Sequence, residues 1–255
     1  RFQKPVPTEK LCQFFFHTVK LFLHISKGEQ KRRFIKLRDD DETKWRVTEL
    51  DKKRHKHYDE YYEAFDDMLV KTNSPHAPWK IIETTDKAYT KFQMFNILVS
   101  QITNALNVER TAAPVVDDFP LVPMPKLSEV VLEGKTVPRA KYDDMLKKKQ
   151  KELARLHSRL YQAKIPLIIA FEGWDAAGKG GNIKRIASAL DPRGYEAVPI
   201  SAPDKAELNH HYLWRFWNDL PKTGHIVIFD RTWYGRVMVE KIEGFTSPER
   251  CAQAY

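Results

Sequence analysis

The sequence has 255 residues, 42% hydrophobic and 30% charged, with a net charge of +9. That composition permits one large or two small packed domains and argues against wholesale disorder. It holds no run of about 18 apolar residues that would span a membrane, no signal-peptide pattern, and no zinc-finger or RNA-recognition signature, so neither membrane nor nucleic acid is an expected partner. The basic balance attracts polyanions, whether nucleic acid, anionic membrane, nucleotides or long phosphate chains, and charge alone does not choose among them.

Cys12 and Cys251 form no metal motif and no disulfide framework, which predicts reduced thiols in a cytoplasmic protein. Val19 to Ile25 (VKLFLHI) reads as a buried strand, followed by Ser26 as an N-cap and a charged helix from Gly28 to Leu37. A second helix is expected from Asp51 to Val70, with Tyr58, Tyr61, Tyr62, Phe65 and Leu69 at helical spacing. WKIIE from Trp79 to Glu83 is another short strand, and Ala88 to Leu106 an amphipathic helix with Phe92, Phe95, Leu98, Val99 and Ile102 inward. Five of the fifteen prolines fall between Pro114 and Pro138, which reads as a linker or an extended crossing segment. We expect one half at residues 1–112, the linker at 113–140, and a second half at 141–255.

In the second half, Tyr142 to Gln162 is a long helix with Leu146, Leu153, Leu156 and Leu160 in one stripe. PLIIAF (Pro166 to Phe171), Tyr195 to Ile200 and IVIF (Ile226 to Phe229) read as strands. Helices are expected from about Gly180 to Leu190 and from Asp204 to Asn218, the latter with Leu208, Tyr212, Phe216 and Trp217 as core. Ser247 and Pro248 open a last helix. Arg1 and Tyr255 give the chain the look of a piece cut at both ends. The alternation predicts an α/β three-layer fold on a mainly parallel sheet.

The chemistry concentrates in Gly173-Trp174-Asp175-Ala176-Ala177-Gly178-Lys179-Gly180-Gly181, between an apolar strand and a helix. This is the context of a phosphate-binding P-loop (Walker A): Gly173, Gly178, Gly180 and Gly181 let amides turn towards phosphate oxygens, and Lys179 supplies a point charge. Gly180 stands where many such loops carry a hydroxyl ligand for Mg²⁺, and Asp175 offers a carboxylate instead. The strand ending in Asp230 has the Walker B form, which brings a second metal-binding carboxylate to the same edge. Arg231 and Arg236 suit phosphoryl oxygens, with a structural salt bridge as the other role open to each. The dense aromatics, Trp174, Trp214, Phe216, Trp217, Trp233 and Tyr234, fit core packing better than base stacking. His55, His57, His210 and His211 lack metal-site spacing.

Four blocks, GWDAAGKGGNIKRI, LDPRGYEAVPI, YLWRFWNDLPKTG and IVIFDRTWYGRVMVEKIEGF, together resemble the type-2 polyphosphate kinase family from about Tyr142 to Tyr255. The segments FLHISKGEQKRRF, KWRVTELD and TNSPHAPWKIIETTDKAY resemble the opposite end of a domain of that family. The resemblance therefore implies the C-terminal half of one kinase-like domain followed by the N-terminal, P-loop half of another, as in the tandem polyphosphate:AMP phosphotransferase branch. It implies phosphoryl transfer between inorganic polyphosphate and a nucleotide (AMP to ADP), with Mg²⁺ held by Asp175 and Asp230. Lys179 and Arg231 would lie at the phosphates with Arg236, and Asn182 and Arg185 near nucleotide or phosphate. It also implies a basic lid after Phe245 that this sequence does not contain, so the chain alone is expected to be impaired in turnover. A homo-oligomer is left open. The competing readings are an ATP-dependent P-loop kinase of a small acceptor and a non-catalytic polyanion-binding module. The two halves either complete one circularly permuted sheet or remain two incomplete ones with open edges.

Overall fold

The structure is a computed structural model describing residues 17–75, 77–107 and 121–254. Cys12 and the start of the proline-rich segment lie outside the described residues.

The first strand, β1 (His17–His24), is buried along almost its whole length. It leads into α1 (Lys27–Arg38), whose N-cap Ser26 accepts from the Glu29 amide at 3.2 Å. The helix expected over Asp51 to Val70 is two helices, α2 (Glu49–Lys56) and α3 (Tyr58–Lys71), broken at His57, whose backbone leaves helical geometry at ψ 25°. Thr48 and Asp51 close a capping box at the start of α2. Next come β2 (Trp79–Glu83) and α4 (Lys87–Asn107), where Phe95, Leu98, Val99 and Ile102 are buried and Phe92 is half-buried.

Residues 121–138 run largely without regular structure, apart from a 3₁₀ turn at Leu127–Glu129. They are nonetheless tied to the first half. The Val122 amide donates to Asn73 O at 2.8 Å, and the Leu127 amide donates to the Asp66 carboxylate at 2.7 Å. The long α5 (Arg139–Gln162) follows and packs along α4, with Leu153, Leu156 and Leu160 buried.

Then come β3 (Leu167–Gly173), α6 (Lys179–Ala187), β4 (Tyr195–Pro199), α7 (Trp214–Asn218), β5 (Ile226–Asp230), α8 (Val239–Ile242) and α9 (Pro248–Ala252). The helix expected from Asp204 is a correction: only a 3₁₀ turn at Glu207–Asn209 and the short α7 form there. Asp204 and Glu207 exchange side-chain-to-amide bonds at 2.8 and 2.7 Å, and His210 then turns extended and ends the turn. Leu208, an expected core residue, is exposed as a result, whereas Phe216 is buried.

All five strands pair in parallel, in the order β2-β1-β3-β5-β4. The pairing of β1 with β3, from His17↔Leu167 to Leu23↔Gly173, joins the two halves of the chain in one continuous sheet. Of the two arrangements expected, one sheet shared by both halves is therefore present, not two incomplete ones. Consecutive residues Leu167 to Glu172 are all buried, so both faces of the sheet are covered and the fold is three-layered. The edge strand β4 is half-exposed and ends in Pro199, which suits a position with one neighbour. From β1 the chain steps outward to β2, and from β3 it goes the other way, first to the edge strand β4 and then back to β5 between them. The carboxyl ends of β1 and β3 thus flank a topological switch point, where open α/β sheets leave a crevice for ligands.

Candidate functional site

The loop after β3 starts under tight steric control. Gly173 has φ +130°, and a Cβ there would lie 2.3 Å from Leu23 O and 2.7 Å from Leu23 N on the neighbouring strand. The Trp174 amide donates to the same Leu23 O at 3.3 Å. Further turning comes from Ala176 at φ 62° and Gly178 at φ 101°. The Asn182 amide bonds Gly178 O at 3.1 Å, so Lys179, Gly180 and Gly181 occupy the first turn of α6, whose amides lack intrahelical acceptors. A turn of inward-facing amides at a helix N-terminus is an anion cradle. Asn182 is buried and clamps the loop, its Nδ2 donating to Gly178 O at 3.0 Å, while its Oδ1 has no partner. Arg185 reaches Gly181 O at 2.7 Å.

Lys179 folds back over the loop, its Nζ donating to Gly173 O at 2.7 Å and Trp174 O at 3.0 Å. Burial presses its ammonium below the ordinary lysine range, against the opposing pull of Asp175, Asp230 and Glu172. Asp175 has Arg231 at 3.1 Å from one carboxylate oxygen and Arg54 at 3.4 Å from the other. Burial works to raise the Asp175 carboxyl, but Lys179, Arg231 and Arg54 outweigh it and hold the group ionised, below the usual carboxylate value. Asp230 ends β5, beside Phe171 of β3, and its charge also acts on Lys179. Arg231 follows in the left-handed region at φ 71°, with its amide bonded to Phe171 O at 3.1 Å. Asp175, Lys179, Asp230 and Arg231 therefore converge. Arg236 is instead ion-paired with Glu240 at 2.7 Å and stacked on Tyr212 at 4.5 Å, the structural role left open for it.

Several site residues escaped the sequence reading. Glu172, the one charged residue in an otherwise apolar strand, is buried and accepts both the Thr232 amide and hydroxyl at 2.7 Å. Burial pushes its carboxyl up to about 7, against the Thr232 bonds and the charges of Lys179 and Arg231. A lone charge inside a buried strand was the signal that could have found it. The first half of the chain also reaches the loop. Gln30 donates to Asp175 O at 3.2 Å, and buried Arg33 donates to Ala176 O at 3.0 Å and to the carbonyls of Thr84 and Thr85. Arg54 and Glu243 lie 3.6 Å apart, and Glu243 also accepts from Tyr61 at 2.8 Å and Lys53 at 2.9 Å. Nothing in the local pattern of α1 or α2 distinguished these side chains from a solvated charged face.

A recess of about 50 Å³ opens among Arg54, Tyr61, Glu172, Asp175 and Arg231. That is room for a few waters or a hydrated ion. Two carboxylates converging on one cation, one of them held ionised, suit a hard divalent metal, which commonly takes one or two carboxylates plus phosphate oxygens and water. Among the described residues no cluster of three or more potential ligands occurs, so the remaining positions would fall to water and substrate. Trp174 belongs to the core: it stacks on Tyr58 at 3.9 Å, meets Phe65 edge-on, and donates to His24 Nδ1 at 2.9 Å.

The sequence model of the polyphosphate kinase 2 (PPK2) family matches residues 6–110 and 136–255. A polyphosphate:AMP phosphotransferase of Pseudomonas syringae pv. tomato is 37% identical over 249 residues, covering 96% of this chain and 50% of that protein. One of the same name from Pseudomonas aeruginosa is 37% identical over 248 residues, with the same coverage of 96% and 50%. A GDP-polyphosphate phosphotransferase of Mycolicibacterium smegmatis is 39% identical over 115 residues, covering 45% of this chain and 41% of that protein. The chain spans about half the length of the first two of these relatives.

Proposed function

Since the chain belongs to the polyphosphate kinase 2 family, we propose that its P-loop site serves phosphoryl transfer between inorganic polyphosphate and a nucleotide, with AMP as acceptor and ADP as product. The observation that carries this reading is the docking of the Asp230-Arg231 strand end against the P-loop, with Arg231 at 3.1 Å from Asp175 and Lys179 folded over the loop. Relatives named polyphosphate:AMP phosphotransferase favour AMP as the acceptor.

The reaction asks little covalent chemistry of the protein. An AMP phosphate oxygen forms a bond to the terminal phosphorus of polyphosphate, and the bond from that phosphorus to its bridging oxygen breaks. ADP and a chain one unit shorter result. The attacking phosphate is already largely ionised at neutral pH, so no base is needed to remove a proton. The task is in-line positioning and charge neutralisation. In this reading the amides at the start of α6 cradle the phosphates, Lys179 exchanges its loop carbonyls for phosphate oxygens, and Arg231 neutralises developing charge. Asn182 keeps the cradle in shape, Arg185 lies farther along the phosphate path, and Arg236 stays in its ion pair with Glu240. Asp175 and Asp230 would hold Mg²⁺, which supplies charge neutralisation at the phosphoryl oxygens. The residues around 1–112 and 141–255 are read as the back of one such domain and the front of the next, joined through residues 113–140. The P-loop, which opens such a domain, stands here behind β1 and β2.

The test combines turnover and binding. ADP formation from AMP, slow for this chain alone, is expected with polyphosphate and not with ATP as sole donor. Tripolyphosphate should bind in titration calorimetry. Lys179→Ala should lower the rate by roughly a hundredfold to a thousandfold, as for other preorganised charge contacts. Asp175→Asn and Asp230→Asn should abolish turnover, which a mere polyanion-binding module would tolerate. Turnover with ATP alone, or a Lys179→Ala variant as active as wild type, would overturn the assignment.

A further inference from the structure

Two arginines from the first half reach the P-loop, and they differ in how fully they are bonded. Arg33 is a strut: its guanidinium holds Glu29 at 2.7 Å, Ala176 O at 3.0 Å and the carbonyls of Thr84 and Thr85. Arg54 is nearly as enclosed, its side chain 12% exposed, yet beside the Tyr61 hydroxyl it makes only one long hydrogen bond, of 3.4 Å to Asp175. Its Nε is buried without a hydrogen bond, facing Glu243 at 3.6 Å, and Glu243 already serves Tyr61 and Lys53. A guanidinium carries five donors, and buried donors are ordinarily satisfied. An under-bonded guanidinium at the wall of a recess that also holds Arg231 therefore calls for an anion with several oxygens.

The recess supplies the place. Arg54 lines it together with Arg231 and Asp175, the two guanidiniums standing at the two oxygens of the Asp175 carboxylate. A cation bound at Asp175 would compete directly with the 3.4 Å contact and release the guanidinium. The sheet pairing of β1 with β3 holds the first half, and α2 with it, at this edge.

We infer that Arg54 is a substrate-contacting residue of the site, supplied by α2 from ahead of the P-loop, which binds non-bridging oxygens of a polyphosphate chain together with Arg231. The inference rests on the phosphotransfer reading and adds to it the residue that grips the donor from the other half of the chain. Two arginines lining one recess would fix both the position and the direction of the chain, since each guanidinium presents a planar fork.

The experiment is tripolyphosphate binding by titration calorimetry, with wild type, Arg54→Ala, Arg54→Lys, and Arg193→Ala as control. Arg193 is an exposed residue paired with Asp191 just before β4, at the amino edge of the sheet. Arg54→Ala is expected to weaken binding by roughly tenfold to a hundredfold, the scale of a charge-assisted hydrogen bond. Arg54→Lys should recover part of it, millimolar guanidinium added to Arg54→Ala should recover more, and Arg193→Ala should match wild type. If wild type binds and Arg54→Ala binds within twofold of it, the inference falls while the phosphotransfer reading stands. A loss in Arg54→Ala that neither lysine nor guanidinium restores would mark a purely structural residue and also overturn the inference. If wild type itself binds no tripolyphosphate, both fall together.

Discussion

Gly173→Ala is the sharpest probe of how the two halves meet. The added Cβ would lie 2.3 Å from Leu23 O, 2.7 Å from Leu23 N and 3.0 Å from Leu23 C. All three are backbone atoms of β1, so no side chain can rotate away. The residue would also keep φ near +130°, which an L-residue adopts only under strain. The backbone strain costs about 1–3 kcal/mol, and forcing β1 from β3 adds an overpacking cost of about 1–3 kcal/mol. For a chain of this size each kcal/mol moves the midpoint by about 2–4 °C, so a fall of order 10 °C is expected. Thermal unfolding followed by circular dichroism measures it, with Gly180→Ala as control, because nothing lies within 4 Å of a Cβ there. A Gly173→Ala midpoint within about 2 °C of wild type would refute the close approach of β1. It would refute with it the single sheet on which the site depends.

Two further substitutions test other parts of the site. The Glu172 carboxyl lies near 7 in the folded protein and near 4.5 when unfolded. Its contribution is therefore fully present below 4.5 and is lost as pH rises through 7, by about 3 kcal/mol in all. His24 works oppositely: burial lowers it from 6.5 to about 4, so stability is lost as pH falls through that interval. The difference between Glu172→Gln and wild type in urea unfolding isolates the glutamate. The variant should gain on wild type from pH 5 to pH 8, and parallel profiles would contradict its burial. Trp174→Phe should cost about 1–3 kcal/mol through the lost His24 bond and the 3.9 Å stack on Tyr58, while AMP affinity stays within about twofold. A selective loss of AMP affinity would instead make the indole a base platform.

The elements that build the sheet were legible because parallel strands covered on both faces read as continuous apolar runs, as in PLIIAF and IVIF. The P-loop was legible because its glycines and lysine serve local backbone needs, and Asp230 because it ends such a strand. What escaped depends on distant neighbours. Arg54 lies in a run of charges, KKRHKHYDE, that looks the same whether it faces water or Asp175. The stretch from Asp204 carries helical spacing, but side-chain bonds between Asp204 and Glu207 close a single turn, and Leu208 then points outward. The split at His57 likewise turns on one residue's ψ. The order of strands was open between two arrangements, since apolar runs carry no record of which strand lies beside which.

The seam between β1 and β3 has a thermodynamic corollary. The cradle is made by the second half, but its start is fixed by Leu23 and its walls by Gln30, Arg33 and Arg54, all from the first. An anion that binds there binds only the docked chain, so occupancy and docking are linked functions. At a hundred times its dissociation constant such a ligand would add about 2.7 kcal/mol against separation of the halves. Free anion around the protein would then act as a clamp on its own binding site, strongest where the anion is abundant and relaxed where it is spent.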